Sequence, residues 1–148
     1  MDYASTFQIS AAGMRLEKLR ADVTALNIAN MNTARSQAGG VYKPLRVAAS
    51  SVPAGGFGDQ LAQALDALQA PASLPQGEVV AVDVPPRRIH DPGHPQADAQ
   101  GYVDYPGVDH LGEMLNLMAA VRAYEANLVA LNAGKAMAAR ALEIGSGS

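Results

Sequence analysis

The chain has 148 residues, with 11 Lys+Arg against 14 Asp+Glu and a formal net charge of −3. That length fits one domain, or a small domain with extended arms, and the mild acidity argues against a dedicated nucleic-acid binder. Hydrophobic residues make up 49%, but aromatics only 5%, and there is no Trp and no Cys; helix-rich packing of small residues is expected rather than a large core, and disulfides, thiolate metal sites and cysteine nucleophiles are excluded.

The start, Met1-Asp2-Tyr3-Ala4-Ser5-Thr6, lacks the basic and apolar parts of a secretory signal. No apolar run approaches the roughly 20 residues that cross a bilayer. The chain is therefore expected not to be membrane-inserted, and to be either cytoplasmic or exported by a route that cleaves nothing. Proline divides it into three zones: residues 1–34 have none, 35–109 hold all nine, and 110–148 again have none. The expected fold class is mainly α. Long N- and C-terminal helices would form a coiled-coil-like packing layer, with a small, irregular, β-containing middle region.

The first helix carries a stripe of Ile9, Ala12, Leu16, Leu19, Val23, Leu26 and Asn30, at alternating spacings of three and four. Arg15, Glu17, Lys18, Arg20 and Asp22 fall outside it. The helix is predicted to end around Asn30 to Asn32, because Asn tolerates the left-handed conformation of a helix terminus. In the middle, Val41 to Val47 reads as a short edge strand interrupted by Pro44. Asp59 with Leu61, Leu65 and Leu68 suggests a short amphipathic helix between flexible linkers. Val80, Val82 and Val84 suit a half-buried strand. The segment from Asp91 to Val108 reads as a proline turn that sets the angle into the last helix.

The last helix repeats the first one's spacing at Met114, Leu117, Val121, Tyr124, Leu128, Leu131, Lys135, Ala138 and Leu142. Asp109 is its N-cap candidate, and Glu113 lies in its first turn. Alanines beside the stripe (119, 120, 123, 126, 130, 133, 136 and 139) widen its apolar face beyond a two-stranded seam. Two readings stand: neighbouring subunits supply the missing contacts, or the chain closes on itself as a bundle. Asn30, in a stripe position, would fix register and partner choice. Asn27, Tyr124 and Asn127 are candidates for polar interface contacts.

Chemistry is sparse. His90-Asp91-Pro92-Gly93-His94-Pro95-Gln96-Ala97-Asp98 has ligand-type side chains. However, Pro92 and Pro95 oppose the helix that would bring both histidines to one face. A metal-binding protein using His90 and His94 is the less favoured reading, and no cofactor is expected. No serine sits in a nucleophile elbow, and Gly55-Gly56-Phe57-Gly58 lacks the Lys of a phosphate loop.

The segment Leu26-Asn27-Ile28-Ala29-Asn30-Met31-Asn32-Thr33 resembles the Asn-Leu-Ala-Asn signature of bacterial flagellar rod, hook and hook-associated proteins. A more specific resemblance runs from Asp91-Pro92-Gly93-His94-Pro95 through Gly101-Tyr102-Val103 and Pro106-Gly107-Val108-Asp109. It continues into Glu113-Met114 and Arg122-Ala123-Tyr124-Glu125-Ala126-Asn127. Together these resemble the proximal-rod family of bacterial flagellar basal-body proteins. The resemblance departs at Gly107, where the family commonly has Asn and where a looser turn is expected. Residues 55–76 match poorly.

The resemblance implies a non-enzymatic structural subunit that leaves the cytoplasm through the flagellar type III export apparatus without signal cleavage. It would assemble in the periplasm as the rod that carries torque to the hook. Its terminal helices would form the inner tubular layer, with the middle region outside. The implied partners are copies of itself, other rod proteins and the ring-to-rod adaptor protein. Ile9, Leu16, Leu19, Val23 and Leu26, with Met114, Leu117, Val121, Leu128 and Leu131, are the expected packing residues. A soluble helical adaptor or export chaperone is the competing reading.

Overall fold

The computed structural model of the chain describes residues 3–34, 40–50 and 74–146. The short helix expected around Leu61 lies outside them. Two long helices enclose four short strands in chain order: α1 (Tyr3–Asn30), β1 (Leu45–Ser50), β2 (Gln76–Ala81), β3 (Arg87–His90), β4 (Tyr102–Tyr105) and α2 (His110–Ser146). Both helices form where proline is absent, so nothing interrupts the backbone ladder. At 37 residues, α2 is about 55 Å long.

α1 ends where the sequence predicts, but by a different device. No described non-glycine residue has a positive φ, so Asn30 does not adopt the left-handed conformation. Its side-chain Nδ2 instead donates back to the Leu26 carbonyl at 2.8 Å. The last turn tightens as Met31 N–H reaches the Ile28 carbonyl and Thr33 N–H reaches the Asn30 carbonyl.

The strands are shifted from their predicted places. β1 begins after Pro44 rather than running through it, because proline has no N–H for a ladder. The Pro44 carbonyl still accepts from Val82 N–H at 2.8 Å. β1 pairs with β2. β2 ends at Ala81, and all its residues but Gly77 are exposed; of the valines expected in a half-buried strand, Val82 is half-buried but lies beyond β2, and Val80 and Val84 are exposed. Pro85-Pro86 ends the extended run.

The proline turn is the tip of a hairpin. β3 and β4 pair antiparallel, with Arg87 opposite Tyr105, Arg88 opposite Asp104, Ile89 opposite Val103 and His90 opposite Tyr102. Arg87-Arg88-Ile89-His90 has no apolar alternation, so its pairing is not visible in the sequence. Asp98 organises the tip. Its Oδ1 accepts from Gln100 N–H at 2.9 Å and Tyr102 N–H at 2.8 Å, and its Oδ2 pairs with Arg88. Gly101 sits at φ 79°, in the left-handed region where glycine is favoured.

The core is small. Ala12, Leu16, Val23, Val103 and Ala120 are its buried apolar members, and Ser10, Glu17, Thr24, Asn27 and Glu113 are buried beside them. The chain divides into two compact units. One combines Leu19–Ala48 with Val79–Ala120; the other holds α1 up to Lys18 and α2 from Val121 onward. In the latter, the helices approach at glycines. A Cβ on Gly13 would lie 2.8 Å from Asn127 Oδ1, and one on Gly134 would lie 3.3 Å from Phe7 Cε1.

In the other unit, Gly107 is the tightest point. A Cβ there would lie 2.4 Å from the Pro85 carbonyl oxygen and 2.7 Å from Val84 Cγ1. The departure from the family pattern therefore closes the approach to α2 instead of loosening it. Replacing Gly107 with Ala or Asn should destabilise the fold by about 1–3 kcal/mol through overpacking, read as a lower thermal midpoint.

The backbone N–H of Tyr102, then that of Gln100 and the charge of Arg88, hold the Asp98 carboxyl below the ordinary aspartate range. Its stabilisation is therefore present above the ordinary aspartate value and is lost as pH falls through the lowered one. The protection of the Gln100 and Tyr102 amides, measured against their intrinsic exchange rates, should fall as pH drops below the ordinary aspartate range, and Asp98→Asn should abolish that pH dependence.

Candidate assembly surface

The two sides of α2 differ in a way its hydrophobic spacing does not reveal. Buried or half-buried positions are Glu113, Leu117, Ala120, Ala123, Asn127, Leu131, Gly134 and Ala138, again at spacings of three and four. The inward stripe is thus mostly small or polar. It shares only Leu117, Leu131 and Ala138 with the stripe read from the sequence. Met114, Val121, Tyr124, Leu128 and Leu142 are exposed, as are Leu111 at 69%, Leu115, Met118 at 51%, Val129, Met137 and Ile144.

The large side chains point outward because Ala, Gly and Asn allow the close helix approach on the inner side. Hydrophobic periodicity follows the large residues, so it marks the wrong side for intrachain packing. Exposed Leu111, Leu115 and Met118 cluster in the first turns of α2, while Arg122 and Glu125 share that side before Val129 is reached; such an apolar cluster is a candidate interaction surface.

α1 differs: most of its predicted stripe faces inward, with Ala12, Leu16 and Val23 buried and Leu19 and Asn30 half-buried. The exceptions lie at Ile9, 46% exposed, and Leu26, 50% exposed. The inward place beside Leu26 belongs to Asn27, which has no exposed surface at all.

Asn27 satisfies all its polar valences inside the chain. Its Nδ2 donates to the Leu45 carbonyl at 2.9 Å and to Glu113 Oε2 at 3.1 Å. Its Oδ1 accepts from Leu45 N–H at 2.9 Å and from the Tyr42 hydroxyl at 2.9 Å. Glu113, itself 1% exposed, is neutralised by Arg46 Nη2 at 2.7 Å from Oε1. Burial, then the Glu113 charge, pushes the Tyr42 phenol above its ordinary value, which keeps it protonated and donating. One amide thus joins α1, the segment leading into β1 and the first turn of α2. This corrects the expectation that Asn27 is left for an intersubunit contact: its hydrogen-bonding capacity is used within the chain.

Asn30 and Asn127 bond to their own helices. Asn30 bonds back to Leu26. Asn127 Nδ2 donates to the Ala123 carbonyl at 2.9 Å, while its Oδ1 faces Gly13. Tyr124 remains exposed. Glu113, Arg46 and Tyr42 were not among the sequence-derived candidates. The usable signal was phase: Glu113 lies four residues before Leu117 and seven before Ala120, on the buried stripe.

The turn residues are placed as follows. Asp109 caps α2, accepting from Leu111 N–H at 3.2 Å and Gly112 N–H at 3.1 Å. Pro106 is buried. Asp91 N–H pairs with the Gly101 carbonyl at 2.9 Å, and the Asp91 carbonyl accepts from His94 N–H. Pro92 packs over Gly101, while Gly93 and Pro95 sit exposed at the tip.

His90 and His94 have different surroundings. The His90 ring meets Tyr102 edge-on at 5.0 Å, and the His94 ring meets Tyr105 at 6.4 Å. His94 Nδ1 accepts from Gln96 N–H at 3.2 Å. Among the described residues, no group of three His, Cys, Asp or Glu side chains is arranged to hold a metal. Arg88 lies over the Tyr102 ring at 5.0 Å, and its Nε meets Asp104 Oδ1 at 3.2 Å as an ionic contact without hydrogen-bond alignment.

The Asn27 amide orientation gives a sharp test. Asn27→Asp would set a carboxylate oxygen against Glu113 and the Leu45 carbonyl, leaving like charges buried. It should cost about 3–5 kcal/mol, seen as a fall in denaturant midpoint. Adding Glu113→Gln, which removes the charge clash, should recover part of that loss.

Comparison with known proteins identifies relatives of the chain. Residues 99–144 match the C-terminal region of flagellar basal body rod FlgEFG proteins. The chain is 36% identical to the flagellar basal-body rod protein FlgC of Bacillus subtilis, over 95% of this chain and 96% of that protein. It is 33% identical to FlgC of Borreliella burgdorferi, with 97% and 98% covered. It is 32% identical to FlgC of Salmonella typhimurium, with 98% and 99% covered. No described helix is long and apolar enough to cross a membrane. With that identity sustained over almost the whole length, the chain belongs to the FlgC family of flagellar basal-body rod proteins.

Proposed function

We propose that this chain is a non-enzymatic structural subunit of the proximal rod, and that the outward side of α2 is the surface through which it assembles. The observation that carries this reading is the exposed apolar series Leu111, Leu115, Met118 and Val129 on a proline-free helix. Covering such a face by neighbouring subunits removes large side chains from water, at roughly 25 cal/mol per Å² of apolar area.

In this reading, the terminal helices of many subunits pack as an inner tubular layer and the β-containing middle lies outside it. The partners are copies of this chain, other rod proteins and the ring-to-rod adaptor protein. Delivery is by the flagellar type III export apparatus, without signal cleavage, into the periplasm. A head-to-tail contact whose rotation does not close generates a helical tube, and torque passes to the hook through many such contacts. The mechanism needs no cofactor.

The test is incorporation. Leu115→Asp and Val129→Asp lie on the exposed side and should leave helix content unchanged by circular dichroism. Each places a charge in the covered face, at a cost of about 2 kcal/mol or more, and should sharply reduce the amount of the chain in purified basal bodies. Undiminished incorporation of both variants would sink the reading, and a chain that stays wholly cytoplasmic on fractionation would favour an adaptor or chaperone.

A further inference from the structure

Among the described residues, the exposed methionines are Met114, Met118 and Met137, all on α2, while Met14 and Met31 are half-buried. Met114 and Met118 stand one helical turn apart, so their side chains share one side of the helix. Leu111 at their N-terminal end and Leu115 between them are likewise exposed. The pair thus sits within the apolar series instead of at its margin.

We propose that Met114 and Met118 form an oxidation-sensitive element that decides whether a subunit is competent to assemble. The inference rests on the reading of this side of α2 as the assembly surface. The co-reactant is a peroxide: the thioether sulfur takes one oxygen atom as the O–O bond breaks. Sulfur is oxidised by two electrons, and hydrogen peroxide is reduced to water. The product, methionine sulfoxide, is polar where the thioether was apolar.

Three or four residues from Met114 lie His110, Leu111, Leu117 and Met118, and from Met118 lie Met114, Leu115, Val121 and Arg122; of these, His110 and Arg122 carry side-chain donors, and both are exposed to water. Packing the sulfoxide against an apolar neighbour would exchange its water for apolar contacts. A subunit oxidised before assembly is therefore excluded, and one already assembled is shielded because its neighbours cover the sulfur atoms. The timing of oxidation, and not its extent alone, decides the outcome.

The test has two arms. In the first, the full-length free chain and purified basal bodies are treated with hydrogen peroxide and sulfoxide is located by mass spectrometry. Met114 and Met118 should oxidise at least about tenfold more slowly in basal bodies, as expected of covered sulfur; equal rates would overturn the proposal. In the second, Met114→Gln/Met118→Gln mimics the polarity of the sulfoxide, and Met114→Leu/Met118→Leu keeps an apolar side chain of similar volume.

The Leu pair should enter basal bodies as the parent chain does and the Gln pair should be excluded, with both retaining helix content by circular dichroism. Normal incorporation of the Gln pair overturns the proposal even where Leu115→Asp is excluded. That result leaves the assembly reading standing. Failure of the parent chain to appear in basal bodies overturns both.

Discussion

A single buried amide ties α1, β1 and the first turn of α2 together. Asn27 makes four hydrogen bonds without any exposed surface, and Glu113 beside it is a buried charge neutralised by Arg46. Each member needs the others. Without Asn27, the Glu113 carboxylate loses a donor and the Leu45 N–H loses its acceptor, while the Leu45 carbonyl keeps the Arg46 guanidinium. Unsatisfied groups in a low-dielectric site are costly. With few buried apolar side chains among the described residues, this network supplies direction that the hydrophobic effect alone does not provide.

That network also explains the placement of the hydrophobic residues. Close approach of α1 and α2 within each unit uses small or polar side chains: Gly13 against Asn127, Gly134 against Phe7, and Asn27 against Glu113. Larger side chains cannot occupy such positions without pushing the backbones apart. Leu, Met and Val are displaced to the other side of α2, where the rod role of the family gives them a use. The same constraint that makes the single chain's core thin equips its surface for association.

Much of the architecture was legible in the sequence. The absence of proline set both helices, and Asp109 with its neighbours marked the start of α2. The resemblance carried by Leu26 to Thr33 and Asp91 to Asn127 indicated the family. What was not legible has physical causes. Hydrophobic spacing records where large side chains recur, and it cannot say whether a partner chain or the same chain covers them. Leu26 on α1 and Met114 on α2 each fall in the stripe of their own helix, although both are exposed here. Asn30 was favoured over Asn27 because it fell in phase with the leucines, yet the buried position was one residue out of that phase. β3 was hidden because its register with β4 is fixed by the Asp98 turn and by ionic contacts of Arg88, not by alternating apolar residues.

The span of the Asn27–Glu113 bond has a consequence for synthesis. The two residues are 86 positions apart, and a ribosome builds Asn27 first. Until the beginning of α2 has emerged, the amide has no carboxylate to meet and remains in water. A nascent chain released before residue 113 would carry an intact amino-terminal helix sequence with its central polar partner missing. Closing so long a loop costs little more than closing one half as long, so the delay is one of order rather than energy: the fold is keyed by a residue from the last third of the polypeptide.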